Sequence, residues 1–85
     1  MSNQQKILLK VLQGTSDANI PFTDLVHLLN FLGFQERIKG SHHIFVKDEI
    51  SEIINLQPRG QNSKPYQVKQ VRHLVLKYKL GDLIK

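Results

Sequence analysis

The stretch that decides the fold is residues 34–57, FQERIKGSHHIFVKDEISEIINLQ. It divides into three short segments, FQERIK, HHIFV and SEIINLQ, which alternate or are rich in β-branched and aromatic residues, as is typical of β-strands. Only Gly40-Ser41 and residues 47–49 separate them. Connections this short favour antiparallel neighbours, because a parallel pair needs a crossover of about a dozen residues or more. The sequence therefore predicts a three-stranded antiparallel meander.

Amphipathic segments flank this meander on both sides. Ser2 begins a capping box before a helix that ends near Gly14, and Pro21 opens a second helix that ends near Gly33. Pro65 opens a last helix, whose apolar face is formed by Val68, Val71, Leu74, Val75 and Tyr78. The predicted fold is α+β with the order α-α-β-β-β-α, in which helices cover one face of the sheet and the other face is open to solvent or a partner.

The composition is that of one small globular domain. The chain has 85 residues, of which 40% are hydrophobic and 22% charged, and it has no cysteine. Disulfides, thiol catalysis and cysteine-rich zinc sites are therefore excluded. No apolar run approaches the roughly 18 residues of a membrane span, and the start MSNQQKILLK lacks the layout of a signal peptide. We therefore predict a cytoplasmic protein without membrane contact.

The charge balance points to a polyanionic partner. Twelve Lys and Arg against seven Asp and Glu give a formal net charge of +5, and half of these cations lie between Arg59 and Lys79, a stretch without an acidic residue. Such a positive field on a small surface attracts nucleic acid. The alternative is that these cations lie on a solvated helix face and bind no partner.

Two adjacent histidines open the second predicted strand. Successive side chains of a strand point to opposite faces, so His42, Ile44 and Val46 share one face, and His43 and Phe45 share the other. The face with two aliphatic residues is the more apolar, so we expect it to meet the helices. His43 and Phe45 then lie on the open face, unless a bulge after the preceding turn exchanges the two faces.

This geometry disfavours a metal site and suits RNA. Adjacent imidazoles on a strand diverge, so we predict no metal and no cofactor. An exposed Phe45 would stack on an unpaired base, while Arg37, Lys39 and Lys47 would contact phosphates. An imidazole near a ribose 2′-OH can take its proton and allow attack on the adjacent phosphate without a metal.

The sequence resembles the HicA (YcfA-like) toxins of bacterial toxin-antitoxin pairs over approximately residues 21–80. The resemblance rests on LGF at residues 32–34, GSHHIF at residues 40–45, Pro58 after the third strand, and a final helix rich in basic and aliphatic residues. It implies a double-stranded-RNA-binding-domain-like fold, mRNA interferase activity and a HicB-type antitoxin that covers the active site. We therefore expect one domain over residues 1–85, in which residues 1–20 are added to the core at residues 21–80.

The resemblance also implies site residues. It makes His43 the catalytic histidine and assigns Ser41 to the turn that presents it to RNA. It also favours RNA contacts by residues of the last helix and the loop before it, namely Lys64, Lys69 and Arg72. Many family members have a second histidine shortly after the proline, whereas Arg59 and Gly60 follow Pro58 here. The second acid could then be His42, Lys64 or a water molecule.

Two other functions are compatible with the same residues. A non-catalytic RNA-binding module would bind RNA without cutting it, with an affinity that falls as salt rises. A protein-interaction domain would use its open sheet face for another protein, and RNA would not compete.

Overall fold

The order of helices and strands is the predicted one. The computed structural model describes residues 3–83, in which α1 is Asn3–Gln13, α2 is Phe22–Phe31, β1 is Gln35–Lys39, β2 is His42–Lys47, β3 is Ile50–Leu56 and α3 is Pro65–Lys77. A two-stranded ribbon, β4 at Pro58–Arg59 and β5 at Asn62–Ser63, and 3₁₀ turns at Asp17–Asn19 and Leu80–Leu83 are additions that the sequence did not predict. The predicted capping residue Ser2 lies outside the described residues. None of the helices in residues 3–83 is long and apolar enough to cross a membrane.

The main sheet is an antiparallel meander with β2 in the centre. Its first hairpin has an unbroken register, from Lys39 opposite His42 to Gln35 opposite Val46. Gly40 begins the two-residue turn with a φ of 59°, a conformation that glycine adopts without strain and that two-residue hairpins favour. Because directly opposed residues share a face, this turn determines which side chains lie on each side of the sheet.

The predicted assignment of the two sheet faces is wrong. Phe45 is fully buried opposite the buried Ile54, and His43 lies opposite the buried Leu56. His43 and Phe45 therefore face the helices, whereas His42 is exposed on the open face. A slip at the turn is not the reason, since the ladder there is regular. Burial of the large Phe45 ring against the apolar residues of β3 is favoured over burial of the two smaller β-branched residues on the other face of β2. In this buried position Phe45 cannot stack on RNA.

Helix α1 is part of the same hydrophobic core. Leu8 and Val11 are buried against residues of α2 and α3. The side chain of Arg72 joins these elements, because it donates to Val11 O at 3.0 Å and forms an ion pair with Asp17 at 3.0 Å. The guanidinium of Arg72 is thus used within the protein, and we do not include it in the proposed RNA surface.

A cluster of charged and polar side chains connects β3 with the end of α3. The carboxylate of Glu52 accepts hydrogen bonds from Lys77 Nζ at 2.8 Å and from the hydroxyl of Tyr78. These two hydrogen bonds lower the pKa of Glu52 from 4.5 to about 2, with the Lys77 bond as the larger cause. The same contact raises the pKa of Lys77.

This cluster predicts an acid-dependent loss of stability. A carboxylate with a lowered pKa stabilises the fold above its unfolded pKa and loses that contribution as the pH falls through its folded pKa. Replacing Glu52 with Gln should therefore lower the midpoint of thermal unfolding at pH 7 by at most a few degrees, because solvent screens exposed ion pairs, and this difference should disappear as the pH falls from about 4.5 to 2. Unfolding followed by circular dichroism at several pH values measures it. The exposed Glu49 provides the control, because Glu49→Gln should change the midpoint little at any pH.

Candidate active site

The central feature of the site is a histidine paired with a carboxylate. His43 Nδ1 lies 2.7 Å from Glu36 Oε2, and the two side chains are only 22% and 20% exposed. Glu36 is on β1, diagonally across from His43 and on the same sheet face. An ionised carboxylate only accepts hydrogen bonds, so the Nδ1 of His43 carries the proton that is donated to it.

Glu36 is itself held in place by α2. The Nδ2 of Asn30 donates to Glu36 Oε1 at 3.3 Å and to the backbone oxygen of Val26 at 3.1 Å. The hydrogen bond from His43 is the main cause that lowers the pKa of Glu36, and the one from Asn30 adds to it, while partial burial opposes both. Glu36 is therefore negatively charged at neutral pH.

The imidazole ring of His43 also packs against an aromatic ring. Phe22 meets it edge to face, with 4.9 Å between the ring centroids and 74° between the planes. Phe22 is the first residue of α2, and its backbone N–H donates to Gln61 O at 2.9 Å. Within residues 3–83, Nε2 of His43 has no hydrogen-bond partner. The ring is thus fixed through Nδ1 and through packing, and Nε2 remains available for proton transfer.

His42 has a different environment on the opposite sheet face. Its Nδ1 lies 3.2 Å from Asn55 Oδ1, and its Nε2 lies 2.9 Å from Gln57 Nε2. The arrangement that satisfies both contacts has the Nδ1 proton donated to Asn55, while Nε2 accepts from the amide of Gln57. Both ring nitrogens of His42 are therefore occupied by the protein.

Gln57 makes several of the hydrogen bonds around His42. Its Oε1 accepts from Lys64 Nζ at 3.2 Å, and its Nε2 also reaches Ser41 Oγ at 3.5 Å. The backbone of Gln57 is held by the buried amide of Gln67, which in its satisfied orientation accepts from Gln57 N at 2.9 Å and donates to Gln57 O at 3.1 Å. Ser41 and Lys64, which were predicted to contact RNA, thus lie beside His42.

The other predicted RNA-contacting cations divide between surfaces. Arg37 and Lys39 are exposed on β1 and share the open face with His42, as their pairing with Ile44 and His42 shows. Lys47 is half-buried, and its Nζ lies beside Gly33 at the end of α2. Lys69 is exposed on α3. The predicted RNA-contacting cations therefore do not form one cluster in the structure.

Several site residues were not found from the sequence. Glu36 could have been identified by counting back from the Gly40-Ser41 turn, which places it on the same face as His43. Asn55 and Gln57 alternate on and after β3 in the same way, but a polar residue at an edge strand is too common to mark a site. Their contacts with His42 depend on the pairing of β2 with β3.

The fold and the site define a small α+β domain whose central strand carries a carboxylate-paired histidine. A family model described as the HicA toxin of bacterial toxin-antitoxin systems matches residues 22–78, about two thirds of the chain. The chain therefore belongs to the HicA toxin family, which confirms the resemblance drawn from GSHHIF. No curated protein and no solved structure matches it. Helix α1 lies outside the matched residues.

Proposed function

We propose that this toxin is a metal-independent endoribonuclease that cleaves mRNA in the cytoplasm, with His43 as its general acid/base. One observation carries the proposal. His43 is bound through Nδ1 to a charged carboxylate at 2.7 Å, is 22% exposed, and has no protein partner on Nε2 within residues 3–83. This is the arrangement of an oriented histidine base.

In this reaction the protein itself has to supply only proton transfer and charge stabilisation at these atoms. Nε2 of His43 takes the proton of a ribose 2′-OH, and the freed O2′ forms a bond to the adjacent phosphorus. Glu36 stabilises the resulting imidazolium. The bond from phosphorus to O5′ then breaks, and O5′ receives a proton. The products are a 2′,3′-cyclic phosphate and a 5′-hydroxyl.

A water molecule is our candidate for the group that protonates O5′, and the hydroxide that it leaves takes the proton held on Nε2 of His43, which returns the imidazole to its neutral form. His42 is less suitable, because it lies on the opposite sheet face and both of its nitrogens have protein partners. Lys64 donates to Gln57 on the side of His42. Of the three alternatives for the second acid, water is thus the one that needs no rearrangement of the protein.

The family also implies an antitoxin partner. We propose that it is a HicB-type protein that covers His43 and so competes with RNA. The exposed cations of β1, Arg37 and Lys39, would then contact either partner.

Cleavage assays test the proposed activity. The purified protein, freed of antitoxin, should cut single-stranded RNA in the presence of EDTA and leave 2′,3′-cyclic phosphate ends. An oligonucleotide with a 2′-deoxyribose at each position should not be cut. A His43→Ala preparation, purified in the same way, controls for contaminating nuclease. Binding of RNA without any cleavage would contradict the proposal and favour the non-catalytic RNA-binding module.

A further inference from the structure

A groove along the β3 edge of the sheet, lined by residues of the open face and of α3, has no part in the proposed reaction. It runs between β3 and the first turns of α3 and has a volume of about 390 Å³. Pockets of this size hold small organic groups. Its lining includes His42, Ile53, Asn55, Gln57, Tyr66 and Gln70.

Two apolar side chains of the groove are exposed to solvent. Tyr66 is 61% exposed and Ile53 is 59% exposed. An aromatic residue in the first turn of a helix commonly anchors that helix to the core. Because Tyr66 is so exposed, however, its side chain contributes little to the core. Its ring is therefore available for stacking on a flat ligand.

The groove also presents amide groups that the protein leaves wholly or partly without partners. The carbonyl oxygen of Asn55 faces His42 Nδ1, so the amide nitrogen of Asn55 points away from that bond. Within residues 3–83, neither this nitrogen nor the amide of Gln70 has a hydrogen-bond partner. Primary amides offer a donor and an acceptor side by side, which matches the edges of nucleobases.

The charges around the groove favour an anion. Its described lining includes no carboxylate. Lys64 Nζ lies 3.2 Å from Gln57 Oε1 at one side, and the exposed Arg37 and Lys39 are on the same sheet face. A polyanion with flat, polar-edged rings thus matches the groove in both charge and shape.

We propose that this groove binds one unpaired nucleobase of a single-stranded RNA. The base stacks on Tyr66, its edge is bound by Asn55 and Gln70, and Lys64 contacts a neighbouring phosphate. The inference takes its ligand, RNA, from the proposed function. His42 and His43 are the first two residues of β2, beside the Gly40-Ser41 turn. RNA that passes around this end of the sheet reaches the groove on one side and His43 on the other.

Binding of an uncleavable RNA tests the groove. A short oligonucleotide with 2′-O-methyl riboses lacks the reacting hydroxyl, so its affinity, measured by fluorescence anisotropy, reports binding alone. Tyr66→Ala should weaken this affinity about 5- to 150-fold, the loss expected for one stacked base. Tyr66→Phe keeps the ring and should bind like the original protein. Phe31→Ala removes another exposed aromatic residue, 52% exposed and outside the groove, and should have no effect.

An abasic scan of the same oligonucleotide identifies the contact. One abasic position should weaken binding by the original protein but not weaken binding by Tyr66→Ala any further, because the stacking pair is already lost. Equal affinity of Tyr66→Ala and the original protein would overturn the inference, as would full additivity of the two losses or the absence of any RNA binding. A Tyr66→Ala variant that loses only an antitoxin protein, with its RNA affinity unchanged, would also overturn it.

These results can be separated from the test of catalysis. If unmodified RNA is not cut but the stacking losses are observed, the proposed endonuclease activity fails and the groove stands. If RNA is cut in EDTA but Tyr66→Ala binds normally, the activity stands and the groove assignment fails.

Discussion

Replacing His43 with alanine is expected to slow RNA cleavage by about 100- to 10,000-fold, the range typical of one positioned acid or base. The imidazole removed is the one that takes the 2′-OH proton, so the loss should be in kcat, with a smaller change in KM. Initial rates on a fluorogenic single-stranded RNA with EDTA present measure both constants. Growth arrest on expression without antitoxin should disappear in parallel.

His73 provides a matched control for this variant. It is an exposed histidine on α3 that lies outside the candidate active site, so His73→Ala should retain cleavage and growth arrest. Because His43 packs against Phe22, loss of packing must be separated from loss of chemistry. The His43→Gln variant retains more of the side-chain volume than His43→Ala does. Its circular dichroism spectrum should be that of the folded protein, and its cleavage should still be lost. Full activity of a folded His43 variant would show that the base is another group.

Replacing Glu36 with glutamine is expected to lower kcat by roughly 100- to 10,000-fold while KM changes little. The substitution removes the negative charge that stabilises the imidazolium of His43. The amide nitrogen of the introduced glutamine can also donate to Nδ1 of His43. The proton of the neutral ring would then lie on Nε2, and Nε2 could no longer accept a proton. Glu36 does not touch RNA in the proposed mechanism, so it acts as a positioning residue.

Nitrogen NMR of the His43 ring distinguishes this role from simple loss of structure. In the original protein the neutral ring should carry its proton on Nδ1, and Glu36→Gln should increase the fraction protonated on Nε2. Glu36→Asp keeps the charge and should recover part of the lost rate. Glu49→Gln changes an exposed glutamate in a turn and should leave the rate and the tautomer unchanged. A Glu36→Gln variant with an unchanged tautomer and unchanged kcat would remove Glu36 from the mechanism.

The sequence predicted the order of the elements because local signals determine it. Turn residues at Gly40-Ser41 and the period-two pattern of three short segments are properties of neighbouring residues. The choice of the buried face was a different problem, since it depended on what lies across the sheet. Ile54 and Leu56 of β3 bring Phe45 into the core, and counting aliphatic residues on β2 alone led to the opposite face.

Contacts between distant residues limited the prediction of the site in the same way. Arg72 and Lys69 belong to the same basic helix, and no local pattern distinguishes the ion-paired residue from the exposed one. The partner of Arg72, Asp17, lies 55 positions earlier in the chain. Glu36, by contrast, lies seven residues from His43 and across a two-residue turn, so the regular ladder of that hairpin would have been sufficient to identify it, although the sequence analysis did not do so.

The contacts of Arg72 with α1 and with the 3₁₀ turn that follows it should make these elements unfold cooperatively. Its guanidinium has partners in the backbone of α1 and in the following 3₁₀ turn, and both are lost if residues 3–20 detach from α3. Such a detachment would break the ion pair between Arg72 and Asp17 and expose to water the apolar surface that Leu8 and Val11 cover. Residues 3–20 should therefore exchange their amide hydrogens together with α3, as one cooperative unit.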